Sequence, residues 1–337
     1  DALRRTPHGD VMADILALAL ANLTSPPVLF FALGFAAALA RSDLVIPEQI
    51  AKGLSLYLLM AIGLKGGVAA RAGGLTLDFG LAALAGMILA VVMPLIAFQL
   101  LGVMSRVDRP TRAAVAAHYG SISIVTFVAA TTALGAIGLK PSGYMTAVAA
   151  LMETPAILLG LALAGARPKD PGEAAVPGEL FREVFLNGSV VVLLGAFLIG
   201  IVADPAGVQR VDLFVNGLFQ GVLCLFLLDL GLLAARRLQA GRALTPALVG
   251  FGLVMPPIGA ALGLGLAMAT GMSPADGAIL MTLAASASYI AAPAAMRIAL
   301  PEADAGVYLP LSLGVTFPFN LAIGVPLYAA AAQALLG

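Results

Sequence analysis

Ten apolar segments dominate the chain, and a water-soluble fold of this size has no interior large enough to hide them. They run over roughly 26–40, 45–71, 77–104, 110–136, 143–165, 184–203, 211–237, 246–271, 274–299 and 308–335. A helix needs about 20 residues to cross a hydrocarbon layer of about 30 Å. The first segment is short for this unless Asn22–Ser25 joins it. Of the 337 residues, 61% are hydrophobic and 11% are charged. Soluble domains are about half apolar and a quarter charged. The expected fold is therefore an all-α polytopic membrane protein with ten transmembrane helices. An amphipathic stretch, Ala13–Leu23, leads into the first span, and the polar residues 1–11 take no part in the expected fold.

The connections are brief except for residues 166–183, a stretch rich in Pro, Gly and charge. This linker separates two halves of five spans each, 26–165 and 184–337, after an N-terminal segment 1–25. A shift of 165 residues lays Gly120-Ser121-Ile122-Ser123 on Ala285-Ser286-Ala287-Ser288, and Ala69-Ala70-Arg71 on Ala234-Ala235-Arg236. A shift of 163 lays Thr154-Pro155 on Phe317-Pro318. An odd number of spans per half makes the second half enter from the opposite side, which gives an inverted-topology repeat. Twelve of the eighteen Lys and Arg residues fall on one side of the expected membrane. The positive-inside rule makes that side cytoplasmic. Both termini are then extracytoplasmic in a multi-pass protein of the plasma (inner) membrane, and the linker is cytoplasmic.

Spans 4 and 9 carry small polar centres inside apolar arms, at Gly120–Ser123 and Ala285–Ser288. An unwound backbone is tolerated at membrane depth where protein or a water-filled cavity satisfies it. Paired interruptions in inverted halves mark the midplane site of a secondary transporter. Half-helix N-termini suit an anion, and half-helix C-termini offer carbonyls to sodium. Gly120 is expected to permit the first break and Pro293 to destabilise the second helix. The expected anion site is Gly120, Ser121, Ile122, Ser123, Ser286, Ala287 and Ser288.

Ionisable groups inside spans are costly and point to function. Glu153 lies in LMETPAIL beside Pro155, and its repeat mate is Thr316 in TFPFN, beside Pro318 and Asn320. Proline frees a carbonyl one turn upstream, so such motifs offer the hard oxygens that cations prefer. The expected sodium ligands are Glu153, Thr126, Ser123, Ser288, Asn320 and Asp229. Lys65 and Asp229 fall near equivalent places in spans 2 and 7, where an ion pair between them competes with a ligand role for Asp229. His118 reads as a packing residue, and Arg297 as a cation snorkelling to the cytoplasmic surface.

Zero net charge gives no general attraction to nucleic acid, and the single cysteine, Cys224, excludes an internal disulfide. Two histidines are too few for a histidine-rich metal site. No catalytic motif of a hydrolase, metalloprotease or nucleotide-binding enzyme is present. The chain reads as a transporter, not an enzyme, with no organic cofactor.

LAASASYIAAPAAMRIALPEA (283–303) and VTFPFNLAIGVPLY (315–328) closely resemble the sodium-dependent bicarbonate transporter family, the SbtA-like group first known from cyanobacteria. LVIPEQIAKGL (44–54), IGLKGG (62–67), HYGSISIVTF (118–127) and LMETPAI (151–157) fit the same family. The resemblance implies ten spans in two inverted five-helix repeats with crossed broken helices. It implies a core of spans 3–5 and 8–10 moving in an elevator-like way against a gate of spans 1, 2, 6 and 7. It further implies a homotrimer, sodium:bicarbonate symport with Na+ as the coupling ion, and a small PII-like cytoplasmic regulator. The matched positions are Gly120, Ser123 and Thr126, then Ala285, Ser286, Ala287, Ser288 and Tyr289, with acidic positions at Glu153 and Asp229. Ile124-Val125 departs from the smaller or more polar residues of cyanobacterial members. The alternative is a sodium- or proton-coupled transporter of another small anion or organic acid on the same fold.

Overall fold

The structure is a computed structural model and describes residues 20, 23–73, 76–164, 188–240, 244–289, 292–293, 295–296 and 300–337. Most of the expected amphipathic stretch, the central linker and Arg297 lie outside the described residues. Among those described, the regular elements are helical, with no strand. In chain order they are α1 (Pro26–Leu39), α2 (Glu48–Gly73), α3 (Leu77–Met104), α4 (Arg109–Gly120), α5 (Ile124–Ala136) and α6 (Met145–Ala164). The second half gives α7 (Gly188–Val202), α8 (Pro205–Arg210), α9 (Phe219–Ala240), α10 (Pro246–Thr270) and α11 (Pro274–Ala285). A last composite helix, α12, covers Ala305–Leu336.

Prolines punctuate these elements where a missing N–H is harmless. Pro26, Pro110, Pro205, Pro246 and Pro274 all sit in a first helical turn. The α12 run contains π-helical stretches at Pro310–Thr316 and Asn320–Gly324, and another π turn, Leu213–Gly217, leads into α9. Such widened turns are frequent at functional sites.

Among the described residues, seven helical runs are long and apolar enough to cross a membrane, the consecutive α4 and α5 counting as one of them. Three shorter apolar helices accompany them: α1, α11 and the Val191–Val202 part of α7. Burial sorts the runs. The α4–α5 run is 94% buried, whereas those of α2 and α10 are 44% buried. An all-round apolar helix with a half-exposed surface has lipid for its other solvent. Leu29, Leu33, Leu84, Ile88, Leu198 and Ile199 supply that outward apolar surface. The α4–α5 run instead forms the interior.

The helices pack in two groups. In one, α1 lies along α9 and α2 lies along α7. Glycine makes the first contact possible, because Gly34 rests on the Leu228 backbone and Gly231 on that of Phe31. A side chain at either place would collide with the opposing carbonyl, so the approach depends on small residues. In the other group α3, α4 and α6 pack mutually, α10 joins α3 and α11, and α11 joins α12. The two interrupted runs meet inside this second group, through contacts of α11 with α5 and α4.

Candidate functional site: the crossing of two interrupted helices

Both interruptions begin on a serine with the same backbone bend. Ser121 and Ser286, each the residue after its helix, have φ −84° with ψ 140° and 164°. These extended values end the helices without any residue in the left-handed region. Positive φ occurs elsewhere, at Arg41, Gly138 and Gly271. Gly120 is therefore not the conformational hinge the sequence suggests. It is the last residue of α4, and a Cβ there would strike the Pro94 ring and approach the Ala156 methyl at 2.9 Å. Its role is close approach to α3 and α6. The second break starts at Ser286, well before Pro293, so that proline does not cause it.

The two breaks hydrogen-bond to each other in a matched way. The Ser288 amide donates to the His118 carbonyl at 2.7 Å and to the Ser121 carbonyl at 3.1 Å. The Ser123 amide donates to Ser286 Oγ at 2.9 Å. Ser121 matches Ser286, and Ser123 matches Ser288, under the shift of 165 residues. In both directions the second serine of one break binds the first serine of the other. All four serines are buried.

Their hydroxyls are not equally engaged. Ser286 Oγ also donates to the Leu283 carbonyl at 2.8 Å. Ser123 Oγ accepts from the Thr126 amide at 3.1 Å and so caps α5, while Ser288 Oγ accepts from Ala292 at 3.2 Å. Ser121 Oγ has no partner among the described residues. Beside it, the first-turn amides of Ile124 and Val125 have no acceptor within α5. Ile122 and Ala287 are buried spacers between the serines.

Glu153 reaches the same level by helix register. Along α6, Gly160 faces Ala113 and Ala117 of α4, and Ala156 faces Gly120. The two helices therefore run antiparallel, and Glu153, one turn before Ala156 on the same face, comes level with Ser121–Ser123. It is buried, and its Oε2 has no hydrogen-bond partner among the described residues. Its matched residue, Thr316, is satisfied: Tyr119 OH bonds to it, and it donates to the Gly252 carbonyl at 2.8 Å. Asn320 joins the second break, since Nδ2 donates to the Ala285 carbonyl at 2.8 Å and Oδ1 accepts from Tyr328 OH at 2.9 Å.

A profile of the Na+-dependent bicarbonate transporter superfamily matches residues 26–333. The chain belongs to this superfamily. No curated protein matches it. Membership fits the apolar helices of a multi-pass membrane protein and identifies the chain with a transporter family.

Within this superfamily member, two expected residues lie away from the crossing. Lys65 and Asp229 do not form an ion pair. The Lys65 ammonium sits 4.0 Å from the Phe219 ring centre, ten residues before Asp229 on α9. Ten helical residues span about 15 Å, which explains the separation. Asp229 lines a cavity of about 520 Å³ together with Arg236, Lys52, Ser55, Phe226 and Tyr289. Tyr289 follows the second break directly, so this vestibule leads to the crossing. Further in, a space of about 10 Å³ is closed by Leu58, Leu59, Ile62, Ile124, Val125, Val128 and Phe226, with Ser55 at its edge shared with the vestibule. The Ile124-Val125 pair thus belongs to an apolar seal.

His118 is buried, with Nδ1 2.6 Å from the Ala114 carbonyl and its ring 4.5 Å from that of Tyr308, but its Nε2 has no hydrogen-bond partner among the described residues, so it is not the fully satisfied packing residue expected. Sequence reasoning missed Asp276. Its carboxylate accepts from the Ser142 amide and hydroxyl at 2.7 and 2.8 Å, from Ser273 at 3.0 Å and from Tyr144 at 3.1 Å. This hub ties the start of α11 to the loop before α6. An acid in a first helical turn carries no signal beyond ordinary capping.

Proposed function

We propose that this chain carries bicarbonate into the cell together with sodium. One observation carries the reading: the Ser123 and Ser288 amides are satisfied across the crossing, yet Ser121 Oγ and Glu153 Oε2 are buried and unpaired among the described residues. A buried polar group without a partner costs about 1–3 kcal/mol, which a ligand offsets. The Ser121 hydroxyl and the open amides of Ile124 and Val125 supply hydrogen bonds to an oxyanion at a helix N-terminus. Ser123, Ser286 and Ser288, with Gly120, Ile122 and Ala287 between and beside them, hold that cradle in shape. Glu153 supplies a charged oxygen for sodium. The Tyr119 and Gly120 carbonyls accept no hydrogen bond among the described residues and add neutral oxygens. Thr126 and Asn320 border the set, and Asp229 stands along the path to it.

Coupling follows from electrostatics. An unpaired ion in a dry site costs several kcal/mol, so sodium and bicarbonate each lower the cost of the other. In this reading the three short apolar helices complete ten spans in two inverted repeats. The α3–α6 and α10–α12 group is the core that carries the site, and α1, α2, α7 and α9 form the gate. The vestibule beside Asp229 faces the cytoplasm, both termini face outward, and the apolar seal closes the outer route in alternating access by an elevator motion. A homotrimer in the inner membrane and a cytoplasmic PII-like regulator belong to the proposal but carry no step of coupling. The unpaired Glu153 carboxyl also supports a second reading, with a proton in place of sodium.

Purified protein in liposomes separates these readings. Labelled bicarbonate uptake is expected with an inward sodium gradient and not with an equal potassium gradient. Uptake that follows a pH gradient regardless of sodium would establish the second reading. Stronger competition by another small anion or organic acid would reassign the substrate.

A further inference from the structure

We infer that a second cavity, around Lys65, is a recruitment site for a small oxyanion on the side opposite the vestibule. The cavity has a volume of about 280 Å³ and lies in the seam between α2 and α9 on one side and α5 and α6 on the other. That is room for one small oxyanion and several waters. Lys65, Thr132, Thr146 and Gln220 line it, and no Asp or Glu is among its lining residues. The hydroxyls of Thr132 and Thr146 and the amide of Gln220 are groups able to donate to an anion held there.

Lysine within a membrane helix is costly and pairs with an acid in most structures. Lys65 does not. Its ammonium rests over Phe219, and Asp212, the acid that influences it, lies outside ion-pair distance. Asp276 stands behind the wall, with its oxygens occupied by Ser142, Ser273 and Tyr144. A cation in a low-dielectric cleft concentrates anions and repels sodium. Ile62 and Val128 line both this cavity and the apolar seal, so the site opens toward the crossing once the seal parts. The anion thus has a holding place that needs no sodium, ahead of the sodium-dependent one.

The inference rests on the transport reading for the identity of the anion. The test uses a Cys224→Ala, Thr132→Cys background, so that the introduced cysteine is the single thiol. A membrane-impermeant thiol reagent applied from outside should label it. Bicarbonate without sodium should slow labelling at least about threefold, and Lys65→Gln should remove that protection while Lys65→Arg retains it. In uptake assays, Lys65→Gln should raise the bicarbonate KM about tenfold with little change in the sodium KM. Unprotected labelling, or protection that requires sodium, would overturn the site. Equal protection by chloride would reduce it to a general anion well and overturn the oxyanion assignment. Protection without any sodium-driven uptake would keep the site and refute the transport reading, so the two failures are distinguishable.

Discussion

The two matched positions Glu153 and Thr316 carry opposite chemistry. Thr316 is fully occupied by Tyr119 and the Gly252 carbonyl. Glu153 keeps a buried oxygen with no partner. The serines repeat the contrast, since Ser286 Oγ has two hydrogen bonds and Ser121 Oγ has none. At these two matched pairs the second half is closed on itself and the first is left open, although Tyr289 OH, just past the second break, is also buried without a partner among the described residues. A scaffold of near-equal halves can thus place its ligand groups in one half and use the other to hold them still.

The comparison breaks most sharply at Glu153. Glu153→Gln keeps the shape and removes the charge. Sodium-driven uptake should fall at least about 100-fold, and the rise in Tm that sodium binding gives the parent protein should vanish. The variant should fold well, because a buried charge without a partner is lost. Ser121→Ala comes next, with an expected rise of about tenfold in the bicarbonate KM, or ~1.4 kcal/mol, and little change in Tm. Thr316→Val should do the reverse. It leaves the Tyr119 hydroxyl unpaired and should cost about 1–3 kcal/mol of stability, read as a lower Tm, with the sodium KM unchanged. Asp229→Asn, in the vestibule wall, should alter uptake by less than about threefold if the wide cavity leaves its charge screened.

Much of this contrast was legible before the fold. Long apolar runs, and small polar residues interrupting two of them, follow from what lipid requires of a backbone. The shift of 165 residues paired the same serines that the structure brings together. The sequence did not tell which serine stays free, because that depends on which amide crosses to which hydroxyl. Gly120 looked like a hinge, since glycine's freedom shows in a sequence and its closeness to Pro94 and Ala156 does not. Lys65 and Asp229 looked like partners because equivalence in a repeat constrains position but not the face presented. Asp276 and the seal at Leu58, Leu59, Ile62 and Phe226 stayed hidden for a related reason. Each draws its meaning from helices distant in the chain. The π turns of α12 also left no periodic mark, since the stretch is apolar on every face.

Sodium affinity, measured by calorimetry with and without bicarbonate, tests the pairing of the two ligands most directly. Linkage requires that if each ion offsets the other's burial, each tightens the other's binding by the same factor. About tenfold tighter sodium binding in the presence of bicarbonate is expected, and Glu153→Gln should abolish it. Sodium affinity indifferent to bicarbonate in the parent protein would contradict coupling at the crossing.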